Sequence, residues 1–273
     1  MQKPQKLSPP KRHKISLTKA IGLILLSLGA IALIGSILYN SQISAFIGLG
    51  LIFWGVILTY VQTEEYIKQD LLDATTLPSL VTLNQTILEL NYNGKALYLP
   101  PKYLKNPEAN KAYIPKQKDE KLPTPEQIQE QENKLFIENP QGILITPPGA
   151  ELTKLFEKTM ETNFTRVDLK YLQQNLPKLF IEDLEIAQNF EMETEGNKVK
   201  VKIENSAYKN LAKINTQLSN LYANLGCPLS SAIASALAKA TGKPIIIENQ
   251  RISEDGKDIE IEYSILQEEP TKK

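Results

Sequence analysis

The sequence predicts an α+β protein in which an N-terminal transmembrane helical hairpin precedes a cytosolic domain of β-hairpins packed with helices. Three observations predict it. No charged residue lies between Lys19 and Glu64, and two apolar runs of membrane-spanning length fill that gap. Residues 190–204 and 245–266 alternate apolar and charged side chains with a period of two around turn residues, the pattern of half-buried hairpins. Between them, apolar residues at helical spacing are bounded by helix start and stop signals.

Composition narrows the function classes. The 273 residues carry no formal net charge, but the two signs are separated along the chain. Lys3, Lys6, Lys11, Arg12, Lys14 and Lys19 give residues 1–19 a charge of +6; the chain holds 31 basic and 31 acidic residues, so the rest is left at −6. An acidic soluble part repels a phosphate backbone and argues against a nucleic-acid partner. Cys227 is the single cysteine, so no intrachain disulfide forms. With one cysteine and one histidine, His13 in the tail, the chain lacks a soft metal site, and no loop has a hard-cation pattern. No metal or cofactor is expected.

Residues 20–39 and 43–61 are apolar throughout. At helical rise each measures about 30 Å, the thickness of the hydrocarbon core. Asn40, Ser41 and Gln42 form a break short enough only for a tight helical hairpin, with Tyr39 and Tyr60 at the interfacial positions. A secretory leader is the competing reading, but the first run is too long for its apolar core and the second would be left unexplained. The six positive charges predict a cytoplasmic N-terminus. Two crossings return the chain to that side, so the expected location is a cell membrane, with residues 62–273 in the cytoplasm. Asn84-Gln85-Thr86 and Asn163-Phe164-Thr165 match the glycosylation sequon and matter only under the inverted topology. Gly22, Gly29, Gly35, Gly48, Gly50 and Gly55 allow close helix approach, within the hairpin or, in a sharper reading, along a homodimer seam. No ionisable residue sits at mid-membrane, so the helices read as an anchor in the lipid bilayer, not as a transport path.

The soluble part follows in order. Residues 62–73 continue as a helix, Pro78 interrupts it, and Ser79 caps a short helix over 80–88. Asn93-Gly94 predicts a β-hairpin of 89–92 with 95–99. Residues 100–134 hold six prolines amid Lys, Glu and Gln and read as a flexible linker, with one short helix over 125–134. A strand at 143–146, a rigid Pro147-Pro148-Gly149 turn and an amphipathic helix over 150–160 come next. Asp168 caps a helix over 169–176, which Pro177 follows, and residues 179–187 fit either type. Gly196-Asn197 joins a hairpin whose register sets Glu195, Glu193 and Glu191 against Lys198, Lys200 and Lys202. Each pair contributes about 0.2–1 kcal/mol, which accounts for both charged rows without a nucleic acid or a metal. A helix over 206–224 leads to Gly226-Cys227-Pro228 and a helix ending at Thr241, with Pro228 at its first position and Gly242 past its end. Residues 245–252 and 258–266 pair as a final hairpin with Ile259, Ile261, Tyr263 and Ile265 inward, and 267–273 form a polar tail. The organisation is thus a basic tail (1–19), two spans (20–61), a juxtamembrane part (62–99), a linker (100–134), an α+β domain (135–266) and the tail.

Residues 142–156 (GILITPPGAELTKLF), 176–204 and 226–244 (GCPLSSAIASALAKATGKP) resemble an uncharacterised family of archaeal membrane-anchored proteins with a C-terminal α+β domain of unknown function. The likeness spans most of 80–266. It implies an anchored α+β domain and, since that family has no assigned activity, no catalytic residues.

One helix start carries the candidate ligand-binding residues. Cys227 stands where free N–H groups and the helix dipole favour a thiolate, as reactive cysteines do. It lacks a base, because His13 lies in the tail. Gly226, Ser230 and Ser231 surround backbone donors suited to a phosphate or carboxylate. Burial in the core is the competing reading, the ordinary fate of a lone cysteine. Ala232, Ala234, Ser235, Ala236, Ala238 and Ala240 give that helix a small-residue surface for packing on the sheet or for a ligand groove. The function expected is a non-enzymatic, membrane-tethered cytosolic domain that binds a protein partner, a small ligand or a second copy. The alternative is an anion sensor or thiol-dependent enzyme built at residues 226–231.

Overall fold

The computed structural model describes residues 17–60, 69–117, 122–208, 214 and 217–267. Contacts divide the chain into two units, residues 1–71 and 72–273. His13 and most of the basic tail, the 61–68 part of the expected juxtamembrane helix, and residues 268–273 lie outside the described residues.

In the first unit α1 (Leu17–Tyr39) and α2 (Gln42–Tyr60) form an antiparallel hairpin. Both are long and apolar enough to cross a membrane. A Cβ on Gly22, Gly29, Gly48 or Gly55 would come within 3.0 Å of the facing helix's backbone, so these four glycines set the close approach. They recur every seven residues, which keeps them on one side of each helix. Gly35 and Gly50 have open space where a Cβ would stand, and take no part in that seam. The outer surface is apolar and exposed, with Ile37, Tyr39, Phe46 and Tyr60 each more than four-fifths accessible.

The second unit is built on one antiparallel sheet of eight strands: β1 (Leu97–Tyr98), β2 (Ala112–Pro115), β3 (Phe136–Glu138), β4 (Gln141–Ile145), β5 (Asn189–Glu195), β6 (Lys198–Glu204), β7 (Ile245–Ile252) and β8 (Ile259–Ile265). Their order is β3-β4-β2-β1-β7-β8-β6-β5, four sequence-adjacent strand pairs laid edge to edge. Period-two alternation gives the sheet two faces. Tyr98, Ala112, Ile114, Ile143, Ile145, Val201, Ile261 and Tyr263 turn to the main core. That core is completed by α5 (Ala150–Thr159), α6 (Leu169–Lys178), α7 (Ser219–Leu225) and α8 (Pro228–Thr241). On the opposite face Leu97, Leu99, Tyr113 and Leu144 form a smaller core with Tyr103, Leu104 and Ile128, the last on α4 (Pro125–Gln131). Helix α8 is buried from Leu229 to Lys239, which its Ala and Ser residues permit. Ser219–Thr241 is also long and apolar enough for a span, yet its two helices lie inside this core.

The expected hairpins at 190–204 and 245–266 are present. Glu191, Glu193 and Glu195 pair in register with Lys202, Lys200 and Lys198. Of the apolar face expected for α5 (Leu152, Leu155, Phe156 and Met160), Phe156 is buried and Leu152 and Met160 pack on the core, but Leu155 is exposed and Thr153 is buried in its stead. Asp168 accepts the Tyr171 N–H at 2.8 Å, and Pro228 and Gly242 bound α8, with Gly242 in the left-handed region at φ +63°.

Four expectations fail for tertiary reasons. Residues 100–134 are no linker among the described positions. Pro101–Tyr103 form a 3-10 turn, β2 is an interior strand buried along its length, and Thr124 caps α4 with a capping box. Apolar residues are few there, but Tyr103, Leu104, Ala112, Tyr113, Ile114 and Ile128 are all buried. Asn93-Gly94 closes no hairpin, because residues 89–91 finish α3 (Gln69–Glu89) with Asn91 at φ +56°, and β1 pairs with β2 and β7 instead. Helix α3 runs through Pro78, so Ser79 caps nothing. Leu77, Leu80, Val81 and Leu83 pack on the core and Ile87 is buried in it, which outweighs the missing N–H. Likewise Pro177 lies inside α6, which passes into a π-helical turn, Leu179–Asp183, while Leu176, Leu179 and Phe180 are fully buried. The helix expected over 206–224 is described only as α7 and isolated residues before it; 209–213, 215 and 216 lie outside the described residues.

Candidate functional site

The 226–231 segment folds as the sequence dictates. Gly226 takes φ +70°, a conformation open to glycine, and its N–H closes α7 on the Tyr222 carbonyl at 2.9 Å. Cys227 is extended at the N-cap position, Pro228 starts α8, and the Ser231 N–H reaches the Cys227 carbonyl at 2.8 Å.

Neighbouring elements occupy the polar groups this start offers. The Cys227 N–H donates to Gln250 Oε1 at 3.0 Å. The Ser230 hydroxyl lies against the same oxygen, 2.9 Å from the Cys227 carbonyl and 3.4 Å from Cys227 Sγ. Ser231 Oγ accepts the Gly149 N–H at 2.9 Å, and the Ser235 hydroxyl donates to the Ser231 carbonyl at 3.0 Å. From the sheet, the Tyr263 hydroxyl donates to the Ser230 carbonyl at 3.0 Å and the Tyr98 hydroxyl to the Leu225 carbonyl. Cys227, Ser230 and Ser231 have no accessible surface.

The structure thus brings all four candidate residues together, as a buried clasp that ties α8 to α5, β7 and β8 and the end of α7 to β1. Burial raises the Cys227 thiol above its ordinary range, against the smaller lowering effect of the hydrogen bonds from Ser230 and nearby backbone. It raises Tyr98 and Tyr263 in the same way. The helix start that would favour a thiolate in water holds a neutral thiol here, because desolvation is the largest effect.

Gln250, Tyr98 and Gly149 escape a reading of the 226–231 segment alone. The signal for Gln250 is a bulge between Ile247 and Asn249 in β7. Before it Ile245 and Ile247 face the core; past it the parity flips, and Gln250 pairs with inward Ile261 and points at Cys227. Strict alternation from Ile245 would have turned Gln250 outward.

The uncovered half of the second sheet face carries the charged rows. The β6 lysines stand between the β5 glutamates and Glu260 and Glu262 of β8, with Lys202 in register with Glu260 and Lys200 with Glu262. Lys202 Nζ contacts Glu204 at 2.6 Å and Lys200 Nζ contacts Glu195 at 3.7 Å, so the ion pairs run along and diagonal to the strands. The Glu204 carboxylate is lowered by hydrogen bonds from Lys202 and Asn189, and Lys202 is raised by Glu204. Among the described residues no three His, Cys, Asp or Glu side chains gather to hold a metal.

No curated protein and no solved structure matches the chain. The family described as a domain of unknown function, DUF7982, matches residues 8–265, in keeping with the resemblance to a family of unassigned activity. The chain belongs to that family.

Proposed function

We propose that this protein is a two-pass membrane protein, with both termini in the cytoplasm, whose α+β domain serves as a tethered binding or interaction domain and not as an enzyme. The observation that carries it is the apolar, exposed outer surface of α1 and α2. Leaving that surface in water forgoes about 25 cal/mol per Å², whereas lipid covers it. The +6 charge of residues 1–19 supports the orientation. The sealed, protonated Cys227 supports binding over thiol chemistry. An archaeal cell membrane is the setting that the family resemblance implies, and the occupant of the domain is a protein, a second copy or a small ligand.

Protease added to sealed cells should spare residues 72–273, and permeabilisation should expose them; digestion from outside refutes the orientation. Cross-linking in native membranes followed by mass spectrometry should recover a partner or a homo-oligomer on that domain. Turnover of a substrate by the purified chain would count against the binding role.

A further inference from the structure

At the end of α5 a cleft of about 350 Å³ opens between that helix, the turn after it and the last turn of α8. Lys239 forms its floor with a side chain only 4% exposed. Its ammonium has three donors, and among the described residues one is used, toward Glu157 Oε2 at 2.9 Å. Glu157 is itself committed, its other oxygen accepting the Phe164 N–H at 2.9 Å. A buried ammonium with unused donors at the floor of an open cleft is set up to take an anionic acceptor. Lys158 also lines the cleft and has no ion pair among the described residues.

The backbone beside the cleft is irregular in two places. Helix α5 ends in a double turn closed by Thr162 N–H to Glu157 O at 2.9 Å and Glu161 N–H to Lys158 O at 3.2 Å. The residue that takes the left-handed conformation there is Glu161, at φ +48°, where glycine is the usual occupant. Glu161 lines both this cleft and a second depression of about 270 Å³ beyond it, to which the π-helical turn contributes Asp183. Strained non-glycine residues and π-helical turns concentrate at functional sites. Lysines 154, 158 and 239 and glutamates 108, 157 and 161 leave the lining of the first cleft without net charge.

From this geometry we infer that the cleft binds a small zwitterion, its phosphate or carboxylate group on Lys239 and Lys158 and its ammonium group on Glu161. The inference stands apart from the membrane topology and from any protein partner, so its test leaves those readings untouched.

The test is isothermal titration calorimetry on the full chain in phosphatidylcholine nanodiscs, with O-phosphoethanolamine, β-alanine and inorganic phosphate as probes. At least one zwitterion should bind saturably and more tightly than inorganic phosphate. Lys158→Gln, which removes one charged hydrogen bond, should weaken that binding about tenfold or more. Glu161→Gly should weaken it while raising the melting temperature, a split that a purely structural turn would not give. Discs that include phosphatidylethanolamine tell the sources apart: competition with the soluble probe identifies a lipid headgroup, and its absence a free solute. No saturable binding to the wild-type chain, binding that both variants leave unchanged, or inorganic phosphate equalling the zwitterions would overturn the assignment.

Discussion

Gly149→Ala is the sharpest test of the core packing. Gly149 precedes α5 at φ −89°, so space and not backbone conformation requires glycine there. An added Cβ would stand 2.1 Å from Ala232 N, 2.5 Å from the Pro228 carbonyl oxygen and 2.7 Å from Ala232 Cα. All three are backbone atoms of α8, which cannot rotate aside, so α5 and α8 must part by more than an ångström. Overpacking of this kind costs about 1–3 kcal/mol. Separation also breaks the buried bond from the Gly149 N–H to Ser231 Oγ, for about 1–3 kcal/mol more. A loss near 4 kcal/mol corresponds to a fall of about 8–16 °C in Tm for a domain of this size. The assay is thermal unfolding of the full chain in detergent, followed by near-ultraviolet circular dichroism of the buried tyrosines 98, 113 and 263. Ser231→Ala, which removes the hydrogen bond without the clash, should fall between wild type and Gly149→Ala. A Tm for Gly149→Ala within about 2 °C of wild type would refute the close approach of these two helices.

Phe180 is fully buried between Phe156 and Phe190, at centroid distances of 5.2 and 4.5 Å, so Phe180→Ala should cost about 3–5 kcal/mol in chemical denaturation, and a loss below about 1 kcal/mol contradicts the packing. In the hairpin, Gly48→Leu should loosen the α1–α2 seam and alter mobility in mild-detergent gels, whereas Gly50→Leu, with open space at its Cβ, should run as wild type; equal effects contradict the assigned seam. Cys227, Tyr98 and Tyr263 have folded-state pKa values raised by burial, so the stability they contribute is complete below their unfolded values and is lost as pH rises through them. The loss should begin near pH 9.0, the ordinary thiol value, and steepen past 10.0, with Cys227→Ala removing the earlier part; a pH-independent Tm up to 11 would contradict it. Iodoacetamide should modify Cys227 at neutral pH only after unfolding, and rapid labelling of the folded chain would show that the clasp is open.

Legibility followed the range over which each signal acts. Period-two alternation wrote out the β5–β6 and β7–β8 hairpins, with the β5–β6 register residue for residue, because a slip of one position would turn every apolar side chain to water. Pro228, Gly242 and Asp168 marked helix ends because capping is a contact over three or four residues. The six glycines were visible too, but which of them formed the seam depended on how α1 and α2 rotate against each other.

By itself, then, the sequence determined two helices of hydrocarbon length, the charge asymmetry around them, and an α+β pattern with its turn and cap residues. Tertiary structure decided what happened to residues whose local signal was weak or contrary. Burial of a few apolar residues made β2 an interior strand inside a proline-rich, polar stretch, and core packing carried α3 and α6 through their prolines. The same holds at the candidate site. Cys227, Ser230 and Ser231 were set at a helix start by local rules, but their exposure was fixed by Gln250, Tyr98, Tyr263 and Gly149, which reach them from other parts of the chain. A helix start presents the same free N–H groups wherever it occurs; whether water, a ligand or another strand satisfies them depends on what the fold sets opposite.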